Sequence, residues 1–218
     1  MYLENKRTFT KKCVTFFVLL LLYISVSAFS YASNVSNNLA NSVLRLHIIA
    51  NSDSVEDQEL KYKIRDKVIE YMKTITCGIA SKSEAISIAK EHIDDFKLIA
   101  KEVIANNGYN YNVNVNIGNF PFPTKQYGDI SFPAGFYDAI KIELGEANGK
   151  NWWCVMFPPL CFVDVTSGIV PNESKEIIES SLSSEEYAII SQNNSEITFK
   201  FKLLEFFGNV ASTFTAKK

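Results

Sequence analysis

The sequence predicts an α+β fold, a small antiparallel or mixed sheet of about four to five strands with two long helices packed on one face. Three patterns carry that expectation. Leu60, Ile64, Val68 and Met72 recur at helical spacing, and Ile86, Ala89, Ile93, Phe96, Ala100 and Val103 form a second stripe of the same period. Between Tyr109 and Ile117 the alternation is strict, with Tyr109, Tyr111, Val113, Val115 and Ile117 set against Asn110, Asn112, Asn114 and Asn116. A strand with one solvated face has that period; a sugar-binding asparagine face is the alternative.

At the N-terminus Lys6, Arg7, Lys11 and Lys12 precede an apolar run from Cys13 to Ala28, followed by the small residues Ser30, Ala32 and Ser33. This is a signal-peptide pattern over residues 1–32, with cleavage after Ala32 or Ala28. The run is shorter than the roughly 20 residues of a comfortable span, so an uncleaved anchor is the competing reading. Either way the remainder is exported. Residues 33–42, small and polar, are expected to be a flexible lead-in to a core domain at 43–165.

Val43 to Ala50 reads as a strand with Arg45 and His47 on one side of the alternation. Asp53 with Glu56, or Ser54 with Asp57, offers a capping box for a helix from Val55 to Ile75, with Asp57–Lys61 and Glu59–Lys63 pairs on its outer face. Ser81 with Glu84 opens the second helix, and Asn106-Asn107-Gly108 closes it. Phe120-Pro121-Phe122-Pro123 has to be a loop or an edge, because proline gives a ladder no donor. Phe136 to Leu144 and Asn151 to Phe157 are expected to pair as a hairpin across Gly145–Lys150. An extension at 166–218, helix plus a strand around Ile197 to Leu203, is packed on the core or partly mobile.

A globular composition with net charge −2 and no basic run excludes a nucleic-acid partner. No cofactor fingerprint and no CxxC pair is present, and His47 and His92 sit on separate elements, so neither a cofactor nor a metal is expected. Cys154 and Cys161 flank Pro158-Pro159, where a bend would allow a disulfide; two buried thiols are the other reading. Cys154 or Cys161 with His47 and Asp129 or Asp164 is the sole catalytic constellation the sequence offers, and nothing in its spacing selects it. The protein is therefore read as a non-enzyme.

Gly118 to Asp164 holds five of the six prolines and both tryptophans, which suits a stiffened recognition surface. Its candidate partner-binding residues are Phe122, Lys125, Tyr127, Asp129, Phe132, Trp152 and Trp153. An exported cysteine-dependent hydrolase and a cell-wall or glycan-binding module are the alternatives.

The strings LRLHIIANSDSVEDQELKYKIRD, from Leu44, and GNFPFPTKQYGDISFPAGFYDAIKIELGEANGKNWWCVMFPPLCFVD, from Gly118, closely resemble the stage II sporulation protein R family of endospore-forming bacteria. The resemblance implies secretion from the forespore into the space between forespore and mother-cell membranes. It further implies a partner there, a membrane-embedded aspartic protease that processes the precursor of sigma factor E. Membrane contact would then occur only through the signal segment or the partner. Arg45, His47, Asn51, Asp53, Asp57, Lys61 and Arg65 are matched positions, serving either folding or protease contact. Thr124 to Tyr127 is the expected contact loop.

Overall fold

A computed structural model describes residues 2–79, 81–161, 170, 172–180 and 182–191. A long helix α1 (Tyr2–Ser42) leads into strand β1 (Leu44–Ile49), then helices α2 (Val55–Ile75), α3 (Lys82–Glu91) and α4 (Ile93–Asn106). Strands β2 (Val113–Phe122), β3 (Lys125–Tyr127), β4 (Ile130–Phe132), β5 (Gly135–Leu144) and β6 (Asn151–Phe157) follow, and then helices α5 (Asn172–Ser180) and α6 (Ser184–Ser191). The fold is α+β, as its patterns predict. The strand expected around Ile197 to Leu203 lies outside the described residues, as does Asp164.

The main sheet is mixed, in the order β2-β5-β1-β6, and β3 and β4 form a separate two-stranded ribbon. β1 runs parallel to β5 and antiparallel to β6. The expected β5–β6 hairpin is therefore corrected: β1 lies between the two strands. The physical reason is the composition of β1, whose residues are buried along almost its whole length and so require hydrogen-bonded neighbours on both edges. The β5–β6 connection crosses over the end of β1, where Gly149 N–H donates to Ala50 O (2.9 Å) and Asn148 N–H to Asn51 O (3.1 Å). Glycine is needed at this crossing, since a Cβ on Gly149 would stand 2.2 Å from Ser52 O.

β2 is an edge strand that begins at Val113, and Pro121 lies within it opposite Phe136, a position an edge tolerates. β6 occupies the other edge. Tyr127 Oη donates to Trp153 O (3.2 Å), and Leu160 and Cys161 N–H both donate to Val155 O (3.1 Å each), so this edge is partly closed against further pairing.

Leu44, Leu46 and Ile48 of β1 face the helices, where they pack with Leu60, Ile64, Val68 and Met72 of α2 and with Phe96, Ala100 and Ile104 of α4. Each of these side chains except that of Ala100 contributes about 1.5–3 kcal/mol on burial. Ser54 is the N-cap of α2, accepting from Asp57 N–H, and Ser81 caps α3 by accepting from Glu84 N–H. The second long helix is broken at His92. His92 N–H ends α3 on Ile88 O, while His92 O starts α4 by accepting from the Asp95 and Phe96 amides. The break lets one apolar stripe serve two surfaces, α3 reaching β1 while α4 packs on α2 and β2.

The opposite face of the sheet carries a second core of Val35, Leu39, Val43, Phe122, Ile130, Phe132, Tyr137, Ala139, Val155, Leu160, Val170, Ile178 and Ile190. Residues 33–42 are thus the last turns of α1 and not a flexible lead-in, because Val35 and Leu39, four apart, bury one side while Asn34, Asn37 and Asn38 stay outside. Lys82 ties this end down, reaching Ala40 O at 2.7 Å and Asp138 Oδ2 at 2.6 Å.

Candidate functional site

On β1 the residues alternate with the leucines, so Arg45 and His47 point to the second face. Arg45 is wholly buried. Its guanidinium carbon lies 4.2 Å from the ring centre of Phe122, 4.7 Å from Tyr137 and 5.8 Å from Phe132. Nη2 donates to Tyr127 Oη (2.8 Å), which in turn donates to Trp153 O. Nε and Nη1 have no partner among the described residues, where the cation is held by aromatic faces and one phenol. Burial pushes the Tyr127 hydroxyl up, and Arg45 beside it pulls the other way.

His47 is nearly as buried. Its ring stacks on Trp153 at 3.6 Å, with Phe122 edge-on at 6.0 Å. Nε2 is 2.7 Å from Asn151 Oδ1; an amide oxygen only accepts, so in this pair the proton is on Nε2 and Nδ1 is an acceptor with no partner among the described residues. Burial pushes the pKa down to about 4, so the imidazole is neutral at neutral pH.

A third cluster joins the start of α2 to the β5–β6 connection. Asp57 Oδ2 accepts from Asn51 Nδ2 (2.8 Å) and Ser52 Oγ (2.6 Å). Burial would raise its carboxyl, but bonds from Ser52, Asn51 and Tyr111 overcome that and hold it below the usual range. Asn51 Oδ1 accepts from Glu146 N–H (3.0 Å), Asp53 Oδ1 from Lys150 N–H (2.6 Å), and Lys61 Nζ donates to Lys150 O (3.0 Å). Asp57 and Lys61 are both buried. The expected outer-face Asp57–Lys61 pair is thereby corrected: both side chains turn inward to fasten the loop that straddles β1.

Cys154 and Cys161 form a disulfide with their α-carbons 5.3 Å apart. Cys154 pairs with Leu46 in the ladder and belongs to the helix-side core, whereas His47 faces the other side of the sheet. A thiol bonded to sulfur has no nucleophile to offer, and the candidate base is on the wrong face. Asp129 is bound instead to Lys175 of α5 at 2.6 Å. The catalytic constellation is not assembled. Among the described residues no group of three or more His, Cys, Asp or Glu could hold a metal ion.

The model of the family described as stage II sporulation protein R matches residues 40–167. The chain belongs to that family. A curated relative, Stage II sporulation protein R of Bacillus subtilis (strain 168), is 42% identical over 138 residues, 63% of this chain and 62% of the relative. The chain thus spans about 62% of the length of the curated relative it matches. No solved structure matches. Sporulation is the role that membership establishes. The family region runs from the buried end of α1 through β6 and holds Arg45, His47, the cluster of Asn51, Asp53, Asp57 and Lys61, and the disulfide. Lying mostly ahead of it and overlapping its first residues is Lys11–Ser42, the one helical stretch among the described residues long and apolar enough to cross a membrane, and compatible with a signal peptide.

Within the family region the predicted partner-binding residues separate. Phe122 and Phe132 are buried in the second core, and Tyr127 is half-buried against Arg45. Lys125 is exposed on β3. Trp152 and Trp153 are half-exposed on opposite faces of β6. Trp152 stacks under Arg65 (4.4 Å) and edge-on to Tyr62 (5.6 Å). Sequence reasoning missed Tyr62, although its place three residues before Arg65 on a helix was a usable signal. It also missed Lys141 and Glu143, which share the His47 face through strand order alone.

Proposed function

We propose that the chain is a secreted signalling protein of sporulation, which acts between forespore and mother-cell membranes to activate a membrane-embedded aspartic protease and so leads to processing of the sigma-E precursor. The observation that carries this reading is family membership joined to an apolar N-terminal helix that lies mostly ahead of the matched region. The use of the chemically versatile side chains supports it. Arg45, His47, Asp57 and Lys61 are bound up in internal contacts, which suits a scaffold that presents a surface.

The proposed contact surface is the β3–β4 ribbon, with Lys125 projecting from it and Arg45, Phe122, Tyr127 and Phe132 stiffening it from behind. A pre-organised ribbon loses little conformational entropy on binding. The test is co-production of the full chain, the candidate protease and the precursor in a cell that lacks its own activator. Precursor cleavage that depends on both chain and protease is expected. Cleavage that proceeds without the chain, or a chain that never associates with the protease, would overturn the reading. A folded Cys154→Ser/Cys161→Ser protein should still support cleavage; complete loss with the fold intact would favour the cysteine hydrolase instead.

A further inference from the structure

The elements that cover the second face of the sheet gather over one end of it. The end of α1, the β3–β4 ribbon and helices α5 and α6 shield Phe122, Tyr137, Ala139 and Val155. Among the described residues nothing covers the other end. Strand register places Asn116, Lys141, His47 and Trp153 in one row across β2, β5, β1 and β6, and Asn114, Glu143, Ile49 and Asn151 in the next. Asn114, Asn116 and Asn151 are exposed, while Phe120, Lys141, Glu143 and Trp153 are half-exposed. The open area is four strands wide, about 14 Å.

Its chemistry narrows the ligand. Lys141 and Glu143 pair at 2.5 Å and cancel, so the face has no net charge with which to hold a phosphate polymer. Three apolar residues, Ile49, Phe120 and Trp153, are too few and too dispersed for an apolar protein interface. Amides dominate, and each offers donors and an acceptor. Asn114 Nδ2 donates to Glu143 Oε2 (2.9 Å), and the Asn116 side chain is exposed beside it. Beside the face, the buried Nδ1 of His47 is an acceptor without a donor among the described residues. Aromatic rings flank the amides, Phe120 on β2 and Trp153 on β6. Amides between aromatic platforms suit a ligand with many hydroxyl and acetamido groups and flat C–H faces.

We propose that this face is a binding site for an N-acetylated amino-sugar polymer, the glycan strand of a bacterial cell wall. The inference is independent of the protease reading, since it concerns another surface and has its own readout. Glycan contact would hold an exported protein near the membrane from which it emerged.

The experiment is co-sedimentation of the full chain with purified cell-wall sacculi, using a detergent without a sugar headgroup so that the detergent does not compete. The chain should sediment with the sacculi, and soluble amino-sugar fragments released by a muramidase should displace it. Asn114→Ala/Asn116→Ala, at two exposed positions, should weaken retention roughly tenfold with an unchanged unfolding transition. Trp153→Ala should weaken it at least as much, and Lys125→Ala should not. Failure to sediment would overturn the proposal. So would retention that the asparagine variant leaves intact, or that moderate salt alone abolishes, the latter marking non-specific charge adhesion.

Discussion

Strand β1 has two faces built by opposite means. Leu44, Leu46 and Ile48 are buried among other hydrocarbon side chains, whereas Arg45 and His47, on alternate positions of the same six residues, are buried as a cation and an imidazole against aromatic rings. The first face is stable because apolar area leaves water. The second carries polar atoms that water would have solvated, and Arg45 Nε and Nη1 and His47 Nδ1 find no replacement partner among the described residues. A domain can tolerate such a cost where the residues do more than fill space, and the rings that hold Arg45 are those behind the proposed contact ribbon.

Substitutions on the two faces should differ in size. Leu46→Ala, read by urea denaturation, should cost about 3 kcal/mol, the lost transfer energy plus a cavity. Tyr127→Phe should cost about 2 kcal/mol by removing the hydroxyl that both accepts from Arg45 and donates to Trp153 O; a loss below about 0.5 kcal/mol would mean that the rings alone hold the cation.

His47 gives a pH test. Its folded pKa of about 4 lies below the unfolded value of 6.5, so between these values the unfolded chain binds more protons and stability rises with pH. Acidification from 6.5 to 4 should therefore cost on the order of 1–2 kcal/mol beyond what His47→Phe loses over the same range, allowing for partial solvent screening. Matching pH profiles for the two proteins would show that His47 is not held neutral. Smallest of all, Arg45→Met should change stability by less than about 1 kcal/mol, because a methionine fills the aromatic cage and removes two donors that lack partners among the described residues. A loss comparable to that of Leu46→Ala would mean that the second face is held together by its cation.

The helix-covered face was far more legible in the sequence than the other. Ser54, Ser81, Gly108 and the apolar stripes are local signals, and they place α2 and the ends of the α3–α4 pair. The second face depends on contacts distant in sequence. Arg45 and His47 read as the polar side of a strand, and only Phe122, Tyr127 and Tyr137, some eighty residues later, show that this side is closed. Alternation gives the face of a residue but not its neighbouring strand, so the insertion of β1 between β5 and β6 was hidden. Asp57 and Lys61 fit an exposed helical pair by spacing, and the loop from Glu146 to Lys150 that turns them inward left no trace in the local pattern. Val35 and Leu39 were readable in principle, as an apolar pair four apart within an asparagine-rich stretch. The Cys154–Cys161 bridge was readable from Pro158-Pro159 between them.

In the proposed function scaffold and signal are separate: buried aromatics and Arg45 build the ribbon, and its exposed side is the contact surface. The most direct measurement pairs urea denaturation with precursor processing for Lys125→Glu. Unfolding free energy should stay within about 0.5 kcal/mol of the parent, as for other surface changes, while processing falls roughly tenfold or more. Unchanged processing by the equally stable variant would contradict the account.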